Sequence, residues 1–99
     1  MKSFNERVWE KCKRIPKGKV STYGEIAKAI GSKNSSRAVG NALNKNPFAP
    51  IVPCHRVIQS NGSIGGFATG SNKKIKMLKN EGIEIKNGKI NLENFLYKF

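Results

Sequence analysis

Acidic side chains are scarce in this sequence: six Glu and no Asp stand against nineteen Lys and Arg, a formal net charge of +13 over 99 residues. Such an imbalance makes a polyanion the natural partner, nucleic acid first and an anionic membrane surface second. Long apolar runs are also missing. Nothing approaches the roughly 18 residues of a membrane span, and the start Met1-Lys2-Ser3-Phe4 has no apolar signal core, so a soluble, cytoplasmic protein is expected. The two cysteines are expected to stay reduced in such a compartment. Cys12, Cys54 and His55 fall at no recognised zinc spacing, which argues against a metal site. Repeats and low-complexity tracts are absent too. The length suits one domain, residues 1–99, with a modest core for which helices are the comfortable solution.

Helical patterning is what the chain does have. Ser3-Phe4-Asn5-Glu6 has the form of a capping box, and Phe4, Val8, Cys12 and Ile15 recur at helical spacing, so a first helix is predicted to about Arg14 with Cys12 in its buried stripe. Pro16 to Lys19 opens a loop, and Val20-Ser21-Thr22 reads as a short extended piece. A second box, Thr22-Tyr23-Gly24-Glu25, starts a helix closed by Gly31. After a polar turn, a third helix runs from Ser36 to about Lys45, with Val39, Ala42 and Leu43 on its apolar side. Two short helices joined in this way form a helix-turn-helix. The opposite side of the third helix carries Arg37, Gly40, Asn41 and Asn44; it is polar but nearly free of bulk, because Ala38 and Gly40 are small, while Arg37 and Lys45 near the two ends add cationic reach. A solvated face more often carries Glu and Lys, and small residues allow a helix to approach another surface closely.

The later half alternates loops and short elements. Asn46-Pro47-Phe48-Ala49-Pro50 cannot be helical. Residues 64–70 read as a small-residue loop, and a fourth helix is predicted from about Ser71 to Asn80, ended by Gly82. Glu81 opposes the dipole at that helix end, which suggests a tertiary partner. Asn87-Gly88, flanked by Ile83-Glu84-Ile85 and Lys89 to Leu92, predicts a hairpin. The tail Phe95 to Phe99 is apolar enough to dock on the core.

Pro53-Cys54-His55-Arg56-Val57 is the most unusual stretch, because it sets one of two cysteines beside the only histidine. A thiol reacts as thiolate, and a free pKa of about 8.5 leaves little of it ionised near neutrality unless a base or cation stands nearby. His55 and Arg56 supply both, although neighbouring side chains diverge, so a water is the natural proton path. A buried, inert cysteine is the alternative on composition alone.

Taken with Ser36-Arg37-Ala38-Val39-Gly40, Asn46-Pro47, Gly65-Gly66-Phe67 and Glu81-Gly82, the Pro-Cys-His-Arg-Val-Ile stretch resembles the active-site domain of the O(6)-alkylguanine-DNA alkyltransferases, from about Phe4 to Gly82. The resemblance implies a mainly α, winged-helix-like bundle of about four helices with short β segments. It implies a DNA repair protein that transfers an alkyl group from the exocyclic oxygen of guanine to Cys54, once per molecule and without cofactor or metal. His55 then takes the thiol proton through water, Glu81 orients His55, and Tyr23 donates to the departing base. Asn46 couples the recognition helix to the reactive loop. Val57 reads the guanine edge, and Phe67 and Ala68 close the pocket. Arg37, Ala38, Gly40, Asn41, Asn44 and Lys45 meet the minor groove of duplex DNA, with Arg37 holding the space of a flipped-out nucleotide. A monomer is expected. Phe67 stands where many relatives have tyrosine, and Ala49 where some have proline. The rival reading is a lesion-binding or helix-turn-helix protein without transfer activity.

Overall fold

Helix α1 (Phe4–Lys13) begins at the cap the sequence predicts. Ser3 Oγ accepts from Glu6 N at 3.1 Å, and the Glu6 carboxylate accepts in return from Ser3 N at 3.3 Å. Val8 and Cys12 are fully buried along its inner stripe, which continues into Ile15. The computed structural model describes residues 2–48, 51–64 and 68–99, with the backbone alone at 68–72. The loop after α1 leads into β1 (Ser21–Thr22), and Thr22 Oγ1 caps α2 (Tyr23–Ala29) by accepting from Glu25 N at 3.1 Å.

Helix α3 (Ser36–Asn44) follows a turn at 32–35 and packs on both α1 and α2. Trp9 Nε1 donates to Ala42 O at 2.8 Å and Arg7 Nη2 donates to Ile30 O at 2.7 Å, so α1 is tied to the ends of its two neighbours. Val8, Cys12, Ile15, Ile26, Ala27, Ile30, Val39, Ala42, Leu43, Val52 and Val57 form the cluster at the centre of this bundle.

The Cys54–Arg56 segment is one turn of 3-10 helix. It feeds β2 (Val57–Ile58), which pairs in parallel with β1 in the register Ser21 to Val57 and Thr22 to Ile58. Residues 65–67, part of the predicted small-residue loop, lie outside the described residues. Helix α4 (Ala68–Asn80) begins three residues before the predicted Ser71. Gly70 suggested a loop, yet one internal glycine costs a helix only about 1 kcal/mol. At its far end Gly82 (φ +87) lets Ile83 N reach Leu78 O and Gly82 N reach Lys79 O, a Schellman closure that requires a left-handed residue.

The hairpin expectation is corrected in part. Asn87 and Gly88 both have positive φ, and Lys86 and Lys89 exchange backbone hydrogen bonds of 2.9 and 3.0 Å, as a two-residue turn demands. The second arm then leaves the first, because Ile90 N donates to Gly62 O and Lys89 bridges Ser63. Its continuation is a one-turn helix, α5 (Leu92–Phe95), capped by Asn91. Isoleucines drive the change: Ile64, Ile83 and Ile90 join Val20, Ile58 and Leu78 in a second buried cluster, and burying them outweighs extending a two-stranded ribbon. The tail docks as expected. Val20 N donates to Phe95 O and Tyr97 N to Val20 O, setting Leu96 beside Val20 as a parallel bridge, while Tyr97 packs against the first cluster.

Candidate active site and nucleic-acid face

Glu81 is the hub around which the reactive segment closes. Arg56 grips it with two donors, Nε to Oε1 at 2.8 Å and Nη2 to Oε2 at 2.6 Å, and its Nη1 donates to Ile15 O at 2.8 Å. His55 Nε2 stands 3.1 Å from Glu81 Oε2. The Glu81 side chain is 12% exposed, so an unpaired charge there would be costly. The Arg56 guanidinium, and after it His55, hold the Glu81 carboxyl below the usual carboxylate range despite that burial. An ionised carboxylate only accepts hydrogen bonds, so the hydrogen of this contact sits on Nε2 of His55, which donates to Glu81. The glutamate that looked out of place beside a helix dipole therefore has two tertiary partners.

Cys54 is half-buried against the first cluster, while Cys12 is sealed within it. Burial pushes the Cys12 thiol up to about 12, which leaves it inert. Tyr23 opens α2 half-buried against the same cluster, with its ring over Gly40. Burial raises its phenol pKa, so it keeps its proton and remains a donor at neutral pH. Asn46 bridges two segments. Its Nδ2 donates to Val52 O at 2.8 Å and its Oδ1 accepts from Phe48 N at 2.8 Å, pinning the exit of α3 to the residue before Pro53.

The helix period sorts the candidate DNA-facing residues. Arg37, Ala38, Asn41 and Asn44, with Lys45 just past the helix, share one exposed arc of α3. Gly40 is the exception: it lies half-buried on the shoulder of that arc and faces Tyr23, where a Cβ would stand 3.8 Å from the ring. It neighbours Val39 and so turns toward the α2 contact. Val57 is buried in β2. Phe67 lies outside the described residues, and Ala68 contributes its backbone as the first residue of α4.

Two residues were missed by sequence reasoning. In the sequence Arg56 reads only as a nearby cation, whereas it is the clamp on Glu81. Lys74 is one of four lysines on α4, yet its Nζ donates to Val57 O at 2.6 Å. Burial lowers its pKa, opposed by the Cys54 and Cys12 thiols within electrostatic reach. The signal was its position four residues before Leu78, on the inward side of α4. An open cleft of about 500 Å3 between α1 and Phe48 contains none of Tyr23, Cys54, His55 or Glu81 and is separate from this site.

A helix-turn-helix module that presents a small-residue helix and carries a thiol beside an imidazole and a clamped carboxylate defines the class by its fold: small helix-turn-helix domains. The family model described as the 6-O-methylguanine DNA methyltransferase DNA-binding domain matches residues 3–83, and the chain belongs to that family. Among relatives, the methylated-DNA--protein-cysteine methyltransferase of Methanosarcina acetivorans is 56% identical over 79 residues, covering 80% of this chain and 51% of that protein. The chain thus spans about half the length of such relatives. Among solved structures, S. pombe Atl1 in complex with damaged DNA containing O6-carboxymethylguanine is 36% identical, covers 100% of both chains and superposes with a TM-score of 0.89. Mycobacterium tuberculosis OGT in complex with DNA is 46% identical, with a TM-score of 0.75 over 82% of this chain and 50% of that one.

Proposed function

We propose that this chain repairs duplex DNA by moving an alkyl group from O6 of guanine to Cys54, once per molecule. The observation that carries this is the His55–Glu81–Arg56 arrangement next to a half-buried thiol. His55 Nδ1 takes the Cys54 proton through a water, and Glu81 stabilises the imidazolium that forms. The thiolate then displaces the alkyl carbon. An S–C bond forms, the C–O6 bond breaks, and the electron pair passes to the guanine, to which the Tyr23 hydroxyl donates a proton. The thioether product offers water neither a carbonyl nor a good leaving group, so the protein is spent, and no cofactor or metal is needed at any step.

Recognition follows the same reading. Arg37 props open the flipped state while Ala38, Gly40, Asn41, Asn44 and Lys45 lie along the minor groove. Asn46 couples that helix to the Cys54 turn. Val57 reads the base edge, and Phe67 and Ala68 close the pocket. This chain works as one domain and as a monomer, in the cytoplasm; among its described residues no helix is long and apolar enough to cross a membrane.

A second reading, lesion binding without transfer, is favoured by the end-to-end match to S. pombe Atl1. Stoichiometry separates the two. With excess O6-methylguanine duplex, intact-mass measurement should show one methyl gained per chain, located on Cys54, and transfer should then stop. A chain that binds the duplex without gaining mass is a lesion binder, and product beyond one equivalent would mean a turnover enzyme.

A further inference from the structure

Helix α4 carries four lysines and no acidic residue. Lys74 turns inward to Val57, while Lys73, Lys76 and Lys79 are exposed and recur every three residues along the outer side, about 4.5 Å apart at 1.5 Å rise per residue. Among the described residues none of the three has a carboxylate within ion-pair distance, and Glu81, the nearest acid in sequence, is already held by His55 and Arg56. An ordinary solvated helix face mixes signs, because Glu and Lys three or four apart stabilise it and like charges do the reverse. This ridge repels itself, and a row of phosphates would relieve the repulsion. The turn that packs on the same cluster adds exposed Lys86 and Lys89. The apolar side of α4 is occupied, with Leu78 fully buried, so the helix has no free face to insert into lipid.

We infer that the Lys73–Lys76–Lys79 ridge is a second phosphate-binding surface, gripping the backbone of duplex DNA outside the stretch met by α3. Helix α3 packs on α1 and α2, whereas α4 packs on the Cys54 turn, so the two surfaces sit on different supports. The long axis of the molecule, 39 Å, corresponds to about 11 base pairs at 3.4 Å each, room for contacts beyond one lesion. The inference rests on the DNA-repair reading and extends it from the reacting base to the flanking backbone.

The test is the salt dependence of binding to a 30-base-pair duplex for the unsubstituted chain and for K73Q/K76Q/K79Q. Each phosphate contact contributes about 0.9 to the slope of log affinity against log salt, so the triple variant should lose about 2 to 3 units of slope. Its thermal melt and its reaction with a free alkylated base, which has no backbone to grip, should be unchanged. Equal slopes in two proteins that both bind DNA overturn the inference and leave the repair reading standing. An unsubstituted chain that neither binds duplex nor gains mass overturns both. Binding to phosphatidylserine vesicles that the triple substitution abolishes, with the DNA slope intact, would make the ridge a membrane surface and also overturn it.

Discussion

The two buried clusters differ in the amount of regular structure behind them. The first is assembled mainly from α1, α2 and α3, three helices with apolar stripes of their own that back the exposed arc of α3, with Val52 and Val57 added from the later half of the chain. The second is assembled from single contributions: Val20, Ile58, Ile64, Leu78, Ile83 and Ile90, drawn from loops, a two-residue strand and one helix. The reactive arrangement belongs to neither alone. Cys54 leans on the first cluster and Glu81 ends the helix that fills the second, while Arg56 joins Glu81 to Ile15 O at the exit of α1. Under the function proposed above, contact with DNA and chemistry on the base rest on different foundations, and substitutions should separate them.

The sharpest separation is expected from Cys54→Ala, which should abolish alkyl transfer by intact-mass assay while duplex affinity stays within a few fold. Arg56→Met comes next. It leaves a largely buried carboxylate without its clamp, and removing one partner of a buried pair typically costs about 3 to 5 kcal/mol, so denaturant unfolding should show a loss of that order together with slow transfer. Arg37→Ala, on the exposed arc, should leave unfolding within about 0.5 kcal/mol of the parent yet slow repair of duplex more than reaction with the free base. Equal stabilities for these two variants would mean that the Glu81 clamp does not join the clusters.

Smaller effects follow from ionisation. The Glu81 pKa is depressed in the fold, so its stabilisation is complete above the unfolded value of about 4.3 and is lost as pH falls through the lower folded value. Glu81→Gln should flatten the acid limb of a stability–pH curve. The Cys12 thiol behaves oppositely, since its folded pKa is raised to about 12. Its contribution is complete below about 8.5, where the unfolded thiol begins to ionise, and is lost as pH rises toward 12. Cys12→Ala should transfer normally, lose about 1 to 2 kcal/mol at neutral pH to the cavity it leaves, and show a shallower alkaline decline in melts between pH 8 and 10.

Legibility in the sequence followed the same division. Caps and 3.6-residue stripes announced α1, α2 and α3 because those signals are local, and the outer arc of α3 could be read residue by residue except at Gly40. Glu81 could be singled out because it violates a local rule, but its partners lie 25 and 26 residues away and no periodicity names them. Of the departures from expectation, the helix α5 in place of a strand falls where isoleucine burial and not local propensity decides the backbone, and the early start of α4 falls where one glycine costs too little to stop a helix. Lys74 and Arg56 were hidden by their surroundings: in so basic a chain, a cation with a specific partner looks like any other.

The parallel bridge between Val20 and Leu96 has a consequence for how the protein is made. Ser21 Oγ donates to Tyr97 O across 76 residues of sequence, so one side of β1 stays bare until almost every other described residue has left the ribosome. At synthesis rates of about 5 to 20 residues per second, the three-helix bundle has seconds in which to collapse before the late segment arrives. During that interval Val20 to Thr22 is an unpaired strand edge, the kind of surface through which nascent chains join one another. Its brevity limits the hazard, because a partner could dock on only two or three residues.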